Sequence, residues 1–260
     1  MKSFKPALLA LLTALSLHTG DAKAQTLGLR VILVGDSTMA PRSGYGNALC
    51  ERLPLLACIN LARGGRSTKS YRAEGLWTSV TTLLKEGGQK DLVLIQFGHN
   101  DQPGKPGRST DLATEFPVNL AAYVDEVRAA GGTPLLLTPL TRRSFKAGQL
   151  QNDLLPWADA IRKVAADKGV QVLDLNALSA AAVQAMGEDQ ADTLALAPKP
   201  AAAPATPIDP NQVEPQGQPK SLFDRTHVGP KGAALFAEIV LKELLRLRPE
   251  LQPAAVSRAQ

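Results

Sequence analysis

The chain has 260 residues and a formal net charge of +5, and 44% of its residues are hydrophobic but only 4% aromatic. The basic excess is small and contains no run of five or six like charges, so it gives no reason to expect nucleic-acid binding. The low aromatic content argues against a carbohydrate-binding module that stacks sugars on aromatic side chains.

The first 24 residues are interpreted as a cleaved export signal. A basic start precedes an apolar stretch over residues 6–17, which is too short to anchor the chain in a bilayer, and Ala22-Lys23-Ala24 fits the small-x-small cleavage rule. An uncleaved N-terminal anchor is the less favoured alternative. The mature chain would begin at Gln25 and carry 26 basic against 23 acidic residues. We expect an exported monomer, periplasmic or secreted, without membrane contact after cleavage.

Residues 25–260 are long enough to bury a full core, and their length fits one α/β domain or two small ones. The chain has two cysteines, Cys50 and Cys58. They could form a disulfide in an oxidising compartment or remain buried thiols, and the sequence leaves both possibilities open.

Continuous apolar runs alternate with amphipathic segments along the chain. The runs predict buried strands over residues 29–34, 58–62, 91–97, 133–138 and 170–175. The amphipathic segments predict helices over residues 45–52, 75–85, 116–130, 154–168 and 231–247. This alternation predicts a parallel sheet with helices on both faces. Right-handed crossovers then place the carboxyl ends of all strands at one edge, where ligands bind.

Residues 188–220 interrupt this alternation. Seven prolines between positions 198 and 219 predict an irregular, extended surface insertion. Its Pro/Ala composition offers few recognition groups, so an inert loop is favoured over a wall of a substrate cleft.

Residue types for acyl transfer through a serine occur at both ends of the chain. Ser37 follows the first predicted strand and could be a nucleophile, although a turn or helix cap would also use Asp-Ser. His227 lies three residues after Asp224, a spacing that lets the carboxylate orient the ring as a base. Once the signal is removed the other histidine is His99, which has no carboxylate at that spacing and is interpreted as structural.

Three groups could donate hydrogen bonds to the oxyanion of such a reaction. They are the backbone N–H of Gly65, the side-chain amide of Asn100 and the backbone N–H of Ser37. A tight turn at Gly65 and a helix cap at Asn100 are the structural alternatives. Because each residue shortly follows a predicted strand end, we expect the three to meet at one edge of the sheet.

These segments together resemble the SGNH (GDSL-type) hydrolase superfamily. The Gly-Asp-Ser-Thr at 35–38, the Gly-Arg-Ser at 65–67 and the Gly-His-Asn-Asp at 98–101 are most similar to the rhamnogalacturonan acetylesterase branch. The resemblance implies a single domain over residues 25–260, with the proline-rich insertion inside it. It also implies that this domain is a flavodoxin-like α/β/α sandwich with a five-stranded parallel sheet. It further implies a Ser37, Asp224 and His227 triad, an oxyanion hole of Ser37, Gly65 and Asn100, and no metal or cofactor. The Gly-Tyr-Gly-Asn at 44–47 departs from the Gly-Trp-Gly-Gln common in that branch.

The resemblance predicts a serine carbohydrate esterase that removes acetyl groups from plant cell-wall polysaccharide, above all rhamnogalacturonan or pectin. Arg142 and Arg143 follow the fourth predicted strand and could pair with galacturonate carboxylates, although solvated surface is the alternative. Two other functions stay open. One is a lysophospholipase, thioesterase or general esterase of the same superfamily. The other is a polysaccharide O-acetyltransferase or an inactive binding protein.

Overall fold

The computed structural model of the protein describes residues 28–200 and 223–255. The predicted export signal and most of the proline-rich segment lie outside these residues. Within them, no helix has both the length and the apolar composition that crossing a membrane requires.

Five parallel strands form the central sheet, and each lies within two residues of its predicted bounds. The described residues contain seven strands, five in this sheet and two outside it. In chain order they are β1 (Leu29–Gly35), β2 (Ala57–Asn60), β3 (Lys90–Gln96), β4 (Thr133–Leu137), β5 (Phe145–Lys146), β6 (Gln149–Leu150) and β7 (Val172–Leu173). The sheet order is β2-β1-β3-β4-β7, while β5 and β6 form a separate antiparallel hairpin. The predicted five-stranded parallel sheet is therefore confirmed.

Eight helices lie in the described residues, and five of them were predicted. They are α1 (Gly46–Cys50), α2 (Thr68–Ala73), α3 (Leu76–Lys85), α4 (Glu115–Ala129), α5 (Leu155–Lys168), α6 (Leu175–Met186), α7 (Glu188–Asp192) and α8 (Pro230–Leu247). A short 3₁₀ helix (Pro249–Ala254) follows. The expectation of irregular structure from residue 188 is wrong for its first five residues, which form α7. An isolated antiparallel bridge between Ala195 and Val228 then joins the chain on either side of the undescribed segment.

Alternating strand residues build two cores, one on each face of the sheet. Val31 and Leu33 pack on one face, and Ile32 and Val34 on the other. Helices α1, α6, α7 and α8 contribute to the first core, and α2 to α5 contribute to the second. The protein is therefore a three-layer α/β/α sandwich, as predicted.

The order of the strands reverses between β1 and β3. The chain passes from β1 outward to β2 and then returns to place β3 on the other side of β1. Connections leave the two neighbouring carboxyl ends in opposite directions, which opens a crevice at that edge. Ser37 follows β1 and Asn100 follows β3, so both lie at this crevice.

Cys50 and Cys58 form a disulfide, with their Cα atoms 5.3 Å apart. The bond joins the end of α1 to β2, the edge strand of the sheet. Of the two possibilities that the sequence allowed, a disulfide or two buried thiols, the structure has the disulfide.

Candidate active site

The nucleophile loop packs tightly against the end of β1. A Cβ atom at Gly35 would lie 2.6 Å from the carbonyl oxygen of Gln96, and one at Gly44 would lie 2.2 Å from the backbone of Thr38. Only glycine allows these close approaches. The loop therefore holds Ser37 at the edge of the sheet, where 7% of the residue is exposed.

Ser37, His227 and Asp224 form a continuous chain of hydrogen bonds. The Ser37 Oγ lies 2.8 Å from His227 Nε2, and His227 Nδ1 lies 3.0 Å from Asp224 Oδ2. The other carboxylate oxygen of Asp224 accepts from the backbone N–H groups of Thr226 and His227, both at 2.7 Å. These contacts fix the ring with Nδ1 toward the carboxylate and Nε2 toward the serine.

The Asp224 carboxylate is held in its charged form. Burial alone would raise its pKa, but hydrogen bonds and charge from the His227 ring, together with the backbone N–H donors, outweigh burial. They hold the pKa of Asp224 well below its usual range. A charged carboxylate at Nδ1 stabilises the imidazolium that forms when His227 takes a proton.

The loop that carries Gly65 lies against the nucleophile, since a Cβ atom at Gly64 would be 3.8 Å from Ser37 Cβ. Gly65 has a left-handed φ of 77°, which glycine adopts at little cost. The Asn100 Nδ2 donates to the Arg66 carbonyl at 3.0 Å, and its Oδ1 accepts from Arg108 Nη1 at 3.3 Å. Arg108 thereby fixes which way the amide points, and one N–H of Asn100 remains for another acceptor.

A buried carboxylate links the loops that carry these donors. Asp101 Oδ1 accepts from the backbone N–H of Thr68 at 3.0 Å, at the start of α2, and from the Thr110 hydroxyl at 3.2 Å. Its Oδ2 is buried without a hydrogen-bond partner. Burial raises the pKa of Asp101 to about 7. Asp101 therefore joins the segment after Gly65 to the segment that carries Asn100.

A second His–Asp pair lies beneath the nucleophile loop. The Nδ1 atom of buried His99 is 3.2 Å from Asp36 Oδ2, and burial lowers the pKa of His99. Asp36 Oδ1 accepts from both the backbone and the hydroxyl of Thr38. The Thr38 hydroxyl in turn accepts from Gln96 Nε2 at 2.6 Å. His99 has the structural place expected of it, but its carboxylate partner is 63 residues away and was not predicted.

Arg142 and Arg143, which were both expected to contact substrate, lie in different surroundings. Arg143 is fully buried, and its Nη2 donates to the carbonyl oxygens of Asp224 at 3.0 Å and His227 at 2.9 Å. The prediction that it contacts substrate is wrong in this structure, because the guanidinium is enclosed beneath the Asp224–His227 loop. Arg142 is half-buried beside the same loop, where its Nε donates to the Thr226 hydroxyl at 3.2 Å and its guanidinium pairs with Asp153.

Taken together, these contacts suit acyl transfer. A serine hydroxyl is hydrogen-bonded to a ring that a carboxylate orients, and the Asn100 amide is hydrogen-bonded to the loop that lies against this serine. Within residues 28–200 and 223–255, no group of three or more His, Cys, Asp or Glu side chains is arranged to hold a metal ion.

The family model of GDSL-like lipases and acylhydrolases matches residues 33–235. The chain therefore belongs to the GDSL-like lipase/acylhydrolase family, and it is a carboxylic ester hydrolase. It is 31% identical to a rhamnogalacturonan acetylesterase of Bacillus subtilis (strain 168), over 88% of this chain and 95% of that protein. It is 25% identical to the rhamnogalacturonan acetylesterase of Emericella nidulans, over 90% of each chain.

Solved structures show the same fold. An acetylxylan esterase of Geobacillus stearothermophilus, Axe2, superposes with a TM-score of 0.57 at 17% identity, covering 88% of this chain and 97% of that one. The Bacillus subtilis protein YXIM superposes with a TM-score of 0.64 at 22% identity. That match covers 84% of this chain but 56% of the other, so this chain spans little more than half of that structure.

Proposed function

We propose that this protein is an exported serine acetylesterase that removes acetyl groups from plant cell-wall polysaccharide, specifically rhamnogalacturonan or a related pectin. The observation that carries the proposal is the hydrogen-bond chain from Ser37 through His227 to Asp224. The choice of substrate is supported by the relatives, which are named rhamnogalacturonan acetylesterases. Because one chain supplies every group, the active unit is proposed to be a monomer.

In the first half of the reaction Ser37 Oγ attacks the acetyl carbonyl carbon while His227 Nε2 takes the hydroxyl proton. The carbonyl oxygen becomes an oxyanion, which accepts hydrogen bonds from the N–H groups of Ser37 and Gly65 and from the Asn100 amide. The bond to the sugar oxygen then breaks, and His227 returns the proton to that oxygen. The products of this half are a free sugar hydroxyl and an acetyl ester of Ser37.

In the second half water attacks the acetyl ester, with His227 again taking a proton. Collapse of the second tetrahedral intermediate releases acetate and restores the Ser37 hydroxyl. The charged Asp224 stabilises the imidazolium in both halves. No step requires a group beyond these side chains, the backbone donors and water.

The decisive measurement is acetate released from acetylated rhamnogalacturonan, compared with acetylated xylan and with hydrolysis of a long-chain acyl ester. We expect release mainly from the pectic substrate by the wild type and none by Ser37→Ala. Comparable activity on all three substrates would leave a general esterase, and a preference for the long-chain ester would favour a lipase. If the wild type transfers acetyl to glycan faster than to water, the protein is an acetyltransferase.

Export is proposed from the basic and apolar start of the sequence and its Ala22-Lys23-Ala24 site. The Cys50–Cys58 disulfide supports it, because such bonds persist in oxidising compartments. Protein recovered from the periplasm or the medium is expected to begin at Gln25. An N-terminal sequence that begins at Met1 in active protein would contradict cleavage.

A further inference from the structure

Three basic side chains lie near Asn100 and His227. Lys105 Nζ donates to the carbonyl oxygen of His99, the residue before Asn100. Arg108 Nη1 donates to the Asn100 amide itself at 3.3 Å. Arg142 Nε donates to Thr226, the residue before His227, at 3.2 Å. The loop after β3 and the loop after β4 thus bring positive charge next to Asn100 and His227.

The charge of this cluster is only partly balanced. Arg142 pairs with the exposed carboxylate of Asp153. In the described part of the chain, neither Lys105 nor Arg108 forms an ion pair. Burial, together with the positive charges of Arg142 and Arg108, lowers the pKa of Lys105 to about 8. The charges of Asp36 and Asp153 oppose this shift without cancelling it. Two half-buried cations therefore lie close together without a carboxylate in contact. An anion bound between them would reduce the repulsion between the two positive charges and the cost of burying them.

Among the residues that the structure describes, both cations also have hydrogen-bond donors without an acceptor. Lysine has three N–H donors and arginine has five. Lys105 uses one of its donors on His99, and Arg108 uses one on Asn100. The Nε of Arg108 is buried without a hydrogen-bond partner. Charged donors of this kind bind carboxylates strongly, because the hydrogen bond and the charge attraction act together.

We propose that Lys105 and Arg108, together with Arg142, form a subsite for the carboxylate of a uronic acid in the glycan substrate. The inference rests on the proposed function, which supplies a glycan ester as substrate, and it adds the residues that would select a uronic acid. Lys105 is the residue to replace in the test, because it donates to His99 and not to the Asn100 amide. Arg108 also orients the Asn100 amide, so its replacement would change the reaction with any ester.

The test compares one acetylated rhamnogalacturonan oligosaccharide before and after methyl esterification of its galacturonate carboxylates. The ratio of kcat/KM for the two forms measures recognition of the carboxylate, with acetate as the product in both cases. We expect the wild type to prefer the free acid, and Lys105→Gln to reduce that preference about tenfold, the effect of losing one charge-assisted hydrogen bond. The matched control is Lys85→Gln, which alters an exposed lysine at the end of α3 and should leave the ratio unchanged.

Two results would overturn the subsite. The first is a wild type that treats the free acid and the methyl ester alike. The second is an equal loss on both forms in Lys105→Gln, which would mean that the lysine acts on the oxyanion or on the fold. A further readout is the preference of the wild type in rising salt. The preference should fall as NaCl increases from about 50 to about 500 mM, since added salt screens the attraction between the cations and the carboxylate, and a preference that is the same at both salt concentrations would contradict a subsite based on charge.

Binding to Ser37→Ala separates the subsite from the proposed function. If the wild type releases no acetate from either form, the proposed function fails. Calorimetry with Ser37→Ala still tests the subsite, since tighter binding of the free acid than of its methyl ester would support it. Equal affinity for the two forms would reject the subsite even in an active acetylesterase.

Discussion

Replacing Arg143 with methionine tests whether a buried cation positions the catalytic loop. Methionine fills similar space but removes the guanidinium, which donates to the Asp224 and His227 carbonyl oxygens at 3.0 and 2.9 Å and to Thr226 at 3.4 Å. Burial lowers the pKa of Arg143 to about 10, so the cation is itself costly to bury. The variant loses the hydrogen bonds but is relieved of that cost.

The magnitude follows from these two opposing effects. The two shorter hydrogen bonds from a charged donor are each worth about 1.5–3 kcal/mol, and removing the buried charge offsets part of their loss. We expect the free energy of unfolding of Arg143→Met to fall by about 2–3 kcal/mol. A shift of about 1 Å in the His227 loop would lower kcat about 100-fold. Because Arg143 does not reach the substrate, KM should change little.

The assay is kcat and KM on a small neutral acetate ester, together with urea unfolding. Arg246→Met is the matched control, since it changes an exposed arginine near the end of α8 and leaves the contacts of the His227 loop in place. Arg143→Lys should recover part of kcat, because it retains the charge but not the planar fork of donors. A kcat for Arg143→Met within twofold of wild type, despite lower stability, would refute the positioning role. A rise in KM confined to pectic substrate would restore the substrate contact expected from the sequence.

Four further outcomes are expected. Asp224→Asn should lower kcat about 10³- to 10⁴-fold on any acetate ester, because His227 loses its charged partner, and a loss below tenfold would contradict that role. Asn100→Ala should lower kcat about 100-fold or more with little change in KM, whereas a change confined to KM would place Asn100 outside the oxyanion hole. Asp101→Asn should remove a pH dependence of stability. With the folded pKa raised to about 7, wild type should lose up to about 1.4 kcal/mol per pH unit from pH 4 to 7, and parallel urea-unfolding profiles for both proteins would exclude this. Reducing the Cys50–Cys58 disulfide should cost about 2.5 kcal/mol for so short a loop, measured as a shift in the urea midpoint, and no shift would mean that the bond leaves the unfolded chain unconstrained.

The sheet could be predicted because its strands are buried on both faces. Runs such as residues 29–34 and 91–97 are almost continuously apolar, as two packed faces require. Helix α6 escaped prediction because its alanine-rich sequence has little apolar periodicity. Its N-terminal cap, Asp174, accepts from the Ala177 N–H and is a signal that could have located it. Helix α7 was obscured by the prolines that follow it.

The site residues that lie in short motifs or directly after predicted strands could be predicted from the sequence. Ser37, Gly65, Asn100, Asp224 and His227 lie in local segments, and the parallel topology alone implies that the first three meet. The supporting contacts are long-range and leave no local pattern. Arg143 bonds to carbonyl oxygens more than 80 residues away, which its position after β4 does not indicate. The pairing of His99 with Asp36 is hidden in the same way.

Ser37 and His227 are separated by 190 residues, so the two members of the reactive pair come from distant parts of the chain. The backbone N–H of Val228 donates to the Ser43 carbonyl at 2.9 Å, which attaches the late segment directly to the nucleophile loop. A nascent or truncated chain that stops before residue 224 therefore has a serine but no base. Closing so long a loop is among the slower steps of folding, since its entropic cost precedes its contacts. Because the reaction needs both Ser37 and His227, the rate at which activity appears during refolding reports the docking of the carboxyl-terminal segment onto the nucleophile loop.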